Sequence, residues 1–241
     1  EMAKSMDAPG WLLKIIPRAD ASGPQICELV EFRLEDLNVK GAWSGPAGLQ
    51  FYQHALAPLT DAAVRDIIGL GLPEALEILC PGMPAAQRER MRERYSAHFV
   101  AADQVPMAFF AGVEAGIARL RGEPGLRLAV ATGKSRRGLD RVFAHTGSGD
   151  WFHASRTADE TRSKPHPLML EELLTETGVE SRDALMVGDT EYDMEMARAL
   201  GMDRAAVTYG VHARERLARS QPVCMVDTFP ALLEALYAPM A

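Results

Sequence analysis

From about residue 113 to the C-terminus, short and mostly apolar runs alternate with longer stretches whose apolar residues recur every three or four positions. That alternation restricts the fold more than any other feature. Leu126–Ala131, Ala184–Val187, Ala205–Tyr209 and Cys224–Val226 read as strands. Between them, Val113, Ile117 and Leu120, then Leu139, Val142 and Phe143, then Leu168–Leu174, Met194–Leu200 and Ala231–Tyr237 read as helices, and Trp151-Phe152 leads a short loop region. Strands this apolar are buried on both faces, and strands separated by helices pair in parallel. The expected fold class is therefore α/β, a doubly wound parallel sheet of Rossmann-like form.

Upstream the texture differs. Thr60-Asp61 marks a helix start with Val64, Ile67 and Ile68 on one face, a second helix spans Pro73–Leu79, and a third opens at Pro84. In the third, Met91, Tyr95 and Phe99 recur at fourfold spacing while Arg88, Arg90, Arg92 and Arg94 fill the remaining faces, which makes an amphipathic helix with a solvated arginine side. Residues 58–106 thus form a small helical unit, and residues 107–241 the α/β core. Residues 1–57 match neither: Pro9, Gly10, Pro17, Gly23, Pro24, Gly41, Gly45, Pro46 and Gly48 leave only Ile26–Leu34 as a candidate element. Glu28, Glu31 and Arg33 make that run unsuited to the centre of a parallel sheet.

Bulk properties narrow the function classes. A chain of 241 residues suits one large domain or a core with a smaller insert. A net charge of -7 and a pI near 5.4 argue against nucleic-acid and anionic-membrane partners, so an anionic small molecule would need local Lys and Arg. Cys27, Cys80 and Cys224 are scattered, without metal-type spacing, and fit a reducing cytoplasm. No run is long enough for a membrane span, and no basic-then-apolar leader is present at the start. The six histidines show no clustered ligand spacing; of them only His166 lies beside a candidate site residue.

Three loops at strand ends carry the chemistry. Leu185-Met186-Val187-Gly188-Asp189 is a strand whose tip presents a carboxylate, and Asp193 follows one helical turn later. The pair suits a divalent cation; equally, Asp189 could cap the next helix and Asp193 face solvent. After Leu128–Ala131 comes Thr132-Gly133-Lys134-Ser135, a hydroxyl and a glycine ahead of a helix, where backbone amides suit a phosphate oxygen. In Ser163-Lys164-Pro165-His166-Pro167 two prolines stiffen the turn that aims Lys164, a placement suited to an anion. In combination they describe a phosphate site with a Mg²⁺ site beside it.

These three stretches resemble the second, third and fourth motifs of the haloacid dehalogenase superfamily, and within it the phosphoglycolate phosphatase-like hydrolases that carry a helical cap. The likeness runs from about Pro58 to the C-terminus, with 58–106 as the cap. It implies a Mg²⁺-dependent phosphatase acting on a small phosphorylated metabolite. It further implies that Thr132 and Lys164 are catalytic, that Thr132, Gly133 and Lys164 bind the phosphoryl group, and that Asp189 and Asp193 hold the metal.

One part of the family pattern is missing. The first motif, Asp-x-Asp-Gly-Thr at the end of the first, central strand, supplies a nucleophile and an acid/base in that family, and no Asp-x-Asp occurs in this sequence. Threading Leu29–Asp36 onto it puts Arg33 in the nucleophile's place, and an arginine forms no acyl phosphate. Two expectations follow: an impaired phosphatase or a non-catalytic phosphate-binding protein, and an origin of residues 1–57 in a shifted reading frame or a joined foreign segment. Without a first strand, the strands ending at Thr132 and Asp189 are expected to lose their shared neighbour.

Overall fold

The computed structural model describes residues 63, 66–102 and 109–237; the expectations for Ile26–Leu34 and for most of the helix starting at Thr60-Asp61 lie outside them. In chain order the elements are α1 (Leu72–Leu79), α2 (Ala85–Ala102), α3 (Val113–Arg121), β1 (Ala129–Thr132), α4 (Arg136–Thr146), β2 (Ala154–Thr157) and α5 (Leu168–Thr177). There follow β3 (Leu185–Gly188), α6 (Glu191–Ala199), β4 (Asp203–Val207), α7 (Arg214–Ala218), β5 (Cys224–Val226) and α8 (Phe229–Tyr237).

All strand pairs are parallel, each joined through a helix. β1 pairs with β2 from Ala129 opposite Ala154 to Thr132 opposite Thr157. β3 pairs with β4, and β4 with β5, in a second sheet of order β3-β4-β5. Side-chain alternation sends successive strand residues to opposite faces. On one face Ala129, Ala131 and Met186 pack with Met169 and Leu170 of α5 and Met196 of α6. On the other, Leu128, Ala205 and Val207 pack with Ile117 of α3 and with Phe229 and Leu232 of α8. Helices cover both faces, as the apolar runs require, and β1 and β3 contribute to one shared layer. Among the described residues no strand is hydrogen-bonded to both of them.

The sequence reading and the structure part at four places, the first being the strand expected at Ala205–Tyr209, which spans Asp203–Val207. Ile67 lies in a turn and Ile68 in an isolated bridge to Leu70, not on the face of a helix. Leu126–Leu128 precede the first strand rather than open it, because Gly125 adopts φ 82° and the chain must still turn there. The stretch after Trp151-Phe152 contains the strand β2. Its Ser155 and Arg156 are half-buried, and Arg156 reaches Glu172 at 2.5 Å and Glu176 at 2.7 Å, so an edge strand carries its polar residues on side-chain partners.

α1 and α2 have an apolar cluster of their own: Ile67, Leu70, Leu76, Leu79, Met83 and Met91 pack together, touched from the core by Tyr192. Arg92 pairs with Glu89 at 2.6 Å and Arg88 donates to the Met83 carbonyl at 2.7 Å; both arginines are half-buried, and of the expected arginine face only Arg90 is exposed among the described residues. Among the described residues no helix is long and apolar enough to cross a membrane.

Candidate functional site

The tripeptide Gly69-Leu70-Gly71 draws the three strand-end loops together. A methyl group on Gly133 would lie 2.7 Å from the Gly69 carbonyl oxygen and 2.5 Å from that of Leu70, so the loop after β1 touches this backbone and only glycine fits. A methyl group on Gly69 would lie 3.0 Å from Thr190, in the loop after β3. The amide of Gly71 donates to Ser163 Oγ at 2.7 Å, immediately before Lys164. Thr132, Lys164 and Asp189 are each one residue from these contacts, so residues far apart in sequence sit at one end of the sheet.

Lys164 follows β2 and precedes α5; its peptide bond to Pro165 is cis. Its side chain is wholly buried, and Nζ donates to Asp193 Oδ1 at 2.5 Å. The other carboxylate oxygen of Asp193 accepts from Thr190 N at 3.2 Å and from Thr190 Oγ1 at 2.6 Å, while Thr190 Oγ1 accepts from Asp193 N at 3.2 Å. That reciprocal arrangement is a capping box closing the N-terminus of α6. Asp193 is therefore a buried cap and the partner of Lys164. A methyl group on Gly188 would collide with it, which shows how tightly strand and helix meet here.

Asp189 is fully buried at the tip of β3. Its Oδ2 accepts from Val211 N at 2.7 Å, and its carbonyl accepts from His212 N at 3.1 Å. The loop after β4 thus fixes this carboxylate, and Gly210 packs against it so closely that any Cβ would enter the carboxylate group. Burial, and next the charge of Asp189, push the Tyr209 phenol far above its usual range. Thr132 is buried, and its Oγ1 accepts from Lys134 N at 3.1 Å. Ser135 caps α4 by accepting from Gly138 N at 3.2 Å. His166, by contrast, spends Nδ1 on its own turn, accepting from Leu168 N at 3.2 Å.

Gly210, Val211 and His212 go unnoticed in the sequence, since a Gly-Val-His turn has no signature beyond its place after a strand. His212 Nδ1 accepts from Glu191 N at 3.0 Å, and its ring meets that of Tyr192 edge-on with centroids 5.4 Å apart. Burial, then the Arg216 guanidinium, hold its imidazole below the ordinary value. The native state thus resists a proton that the unfolded chain accepts near pH ~6.5. The resulting stability is complete above that pH and is lost as pH falls toward the depressed native value. Urea midpoints are expected to drop on acidification from pH 7 to 5, and His212→Gln to flatten that slope; an unchanged slope in the variant would sink the assignment. Arg216 also ties the residues ahead of α1 to the core, contacting Asp66 and pairing with Glu191 at 2.5 Å, while Tyr192 Oη donates to the Asp66 carbonyl at 2.6 Å.

For a divalent ion, the donors at hand are the oxygens of Asp189 with Asp193 behind it. Hard carboxylate oxygens fit Mg²⁺, which takes one or two carboxylates and completes its shell with other oxygens, those of water and phosphate among them. Among the described residues there is no group of three or more His, Cys, Asp or Glu that would form an all-protein metal cage.

Comparison with known proteins divides the chain. Residues 1–75 match the acetoacetate decarboxylase family model. An acetoacetate decarboxylase of Bordetella avium is 55% identical over 69 residues, 29% of this chain and 28% of that protein, and one of Acidiphilium cryptum is 55% identical over 64 residues. The chain thus spans little more than a quarter of the decarboxylases that it matches. A frame-shifted stretch would carry no such likeness, so the match favours a joined segment. Residues 46–207 match the model of the haloacid dehalogenase-like hydrolases. The protein named "Probable phosphatase IndB" of Dickeya dadantii is 33% identical over 180 residues, covering 73% of this chain and 78% of that one. A haloacid dehalogenase-like hydrolase from Bacteroides fragilis superposes with a TM-score of 0.67 at 22% identity, covering 76% of this chain and 88% of its own. A structure bearing the name phosphoglycolate phosphatase, from Lactobacillus delbrueckii, gives a TM-score of 0.64 at 22% identity, covering 76% and 85%; at such identities the likeness is one of fold. With the loops of Thr132, Lys164 and Asp189 gathered at one end of its parallel strands, the chain belongs to the haloacid dehalogenase-like hydrolase family.

Proposed function

We propose that this chain binds a small phosphate monoester together with Mg²⁺ at the Thr132, Lys164 and Asp189 end of the sheet, and that alone it hydrolyses such esters slowly or not at all. The observation that supports binding most is the buried Lys164 ammonium, held by Asp193 in the same loop cluster as Thr132 and Asp189. A fully desolvated cation on a fixed partner is a strong anchor for phosphate oxygens. In this reading the Thr132 hydroxyl and the Gly133 loop take up further phosphoryl oxygens, and Asp189 holds the ion. Both oxygens of Asp193 are engaged, so its part is to position Lys164 and to support the metal from behind. Mg²⁺, when bound, supplies charge neutralisation on the phosphoryl oxygens. The apolar cluster of α1 and α2, with residues 58–106 as the cap, would exclude water above the site.

The impairment rests on the sequence, which holds no Asp-x-Asp in any register. In the same reading, residues 1–57 stand in place of the first core strand and are a segment joined from an acetoacetate decarboxylase-like chain. The scattered cysteines accord with a reducing cytoplasm.

Two measurements test this. Calorimetric titration with inorganic phosphate is expected to give binding that needs Mg²⁺ and is lost in Asp189→Asn; no binding with or without Mg²⁺ overturns the site. Phosphate release from an aryl phosphate and from phosphoglycolate is expected to stay at background. Mg²⁺-dependent turnover abolished by Asp189→Asn would instead mean that a nucleophile is present, and would overturn the impairment.

A further inference from the structure

Arg216 stands on a fixed base. Its neighbour Leu217 is wholly buried in one cluster with Met194 of α6 and Ala206 of β4, and the amides of Arg216 and Leu217 donate to the Ala213 carbonyl at 3.0 and 3.1 Å. From this base the guanidinium takes a carboxylate on either side: Asp66, ahead of α1, on one nitrogen, and Glu191, the first residue of α6, at 2.5 Å on another. Asp66 is held a second time, because Tyr192 Oη donates to its carbonyl at 2.6 Å. The three charged residues are all half-buried, so their attraction is screened less than that of a pair on an open surface.

Each carboxylate leads to one half of the loop cluster. From Asp66 the chain turns at once, with Leu70 N donating to the Ile67 carbonyl at 3.2 Å, and brings Gly69 against Gly133 of the Thr132 loop and against Thr190. Gly71 N then donates to Ser163 Oγ, beside Lys164. From Glu191 the path is as short. Its amide donates to His212 Nδ1 at 3.0 Å, while His212 N and Val211 N donate to the carbonyl and to Oδ2 of Asp189. We infer that Arg216 is a positioning residue for the anion and metal site: through Asp66 it seats the Gly69–Gly71 turn on the Thr132 and Lys164 loops, and through Glu191 it aligns the start of α6 with the turn that fixes Asp189. It touches neither phosphate nor metal, and the inference rests on the proposed function. A guanidinium suits the task because its planar fork serves two carboxylates at once, whereas an ammonium is a single point charge.

The full chain and its variants are compared in two titrations, inorganic phosphate in the presence of Mg²⁺ by calorimetry and Mn²⁺ alone by electron paramagnetic resonance. Arg216→Gln is expected to weaken both about tenfold or more. Asp66→Asn is expected to weaken phosphate binding and to leave Mn²⁺ affinity within about twofold, while Glu191→Gln weakens Mn²⁺ binding about tenfold. Added to Glu191→Gln, Arg216→Gln is expected to cost no further Mn²⁺ affinity; an additive loss would mean that the arginine acts by its charge at a distance, and overturns the inference. Full retention of both affinities in Arg216→Lys, which keeps the charge without the fork, overturns it as well. Amide hydrogen exchange reads the same two arms without any ligand. Arg216→Gln is expected to speed exchange at Gly71, Val211 and His212 about tenfold while the strand amides of β1 and β3 keep their rates. Acceleration throughout the protein would mean a general structural role, and no acceleration at these three amides would mean that the arms are not coupled; either overturns the inference. If the wild-type chain binds neither phosphate nor metal, the proposed function fails, and the exchange pattern alone decides whether Arg216 positions the loops.

Discussion

Lys164→Met is expected to destabilise the protein by about 3–5 kcal/mol, because it strands the carboxylate of Asp193 in a wholly buried position. Methionine fills nearly the same volume, so loss of packing contributes little and loss of the ion pair dominates. The companion variant separates the two. Lys164→Met with Asp193→Asn removes the orphaned charge while an amide can still accept from Thr190, so the double variant is expected to recover most of the lost stability. Urea unfolding followed by circular dichroism measures both. If Lys164→Met costs less than about 1 kcal/mol, as for an exposed pair, the buried ion pair is not the anchor described here. The sign of the double variant matters more than its size: a strictly additive result would mean that the two side chains do not sense each other.

Gly210→Ala is expected to have the second large effect. The added methyl would enter the carboxylate of Asp189, whose Oδ2 is held at 2.7 Å by Val211 N, so either the loop or the carboxylate must move. Overpacking of this kind costs about 1–3 kcal/mol. Under the proposed function Asp189 holds the ion, and movement of such a group through its support lowers metal affinity about tenfold to a hundredfold. Competition between Mg²⁺ and paramagnetic Mn²⁺, read by electron paramagnetic resonance, gives the affinity, and thermal unfolding gives the stability. Unchanged values for both would show that Asp189 has slack the structure does not record.

Much of the core was legible in the sequence, because burial on both faces leaves uninterrupted apolar residues. The strand at Cys224–Val226 has the predicted bounds, and β3 lies within one residue of them. β2 was missed for the opposite reason: Ala154-Ser155-Arg156-Thr157 lies at a sheet edge, where half its residues keep polar partners and no period stands out. In the candidate site the positions of Thr132 and Asp189 at strand ends, and of Lys164 in a turn between prolines, were readable from local spacing. Their mutual arrangement was not. Asp193 was read as a metal-side carboxylate because it falls one turn after Asp189, yet its nearest cation is Lys164, which lies 29 residues upstream and reaches it only through the fold. The Gly210–His212 turn was equally invisible, since what it does for Asp189 depends on β3 and β4 being neighbours.

Three of the hydrogen bonds that hold this loop cluster are made within residues 164–211, beside the ties that Gly69-Leu70-Gly71 supplies from upstream. Lys164 to Asp193, Asp193 to Thr190 and Asp189 to Val211 involve nothing upstream of β1. Under the proposed function, exchange of residues 1–57 for those of an unrelated enzyme family would leave these three ties and those of Gly69–Gly71 in place, so an anion-binding geometry could be inherited separately from a catalytic first motif. Such a module is raw material: it can lose an activity in one step and still be conserved, or recruited, for what it holds.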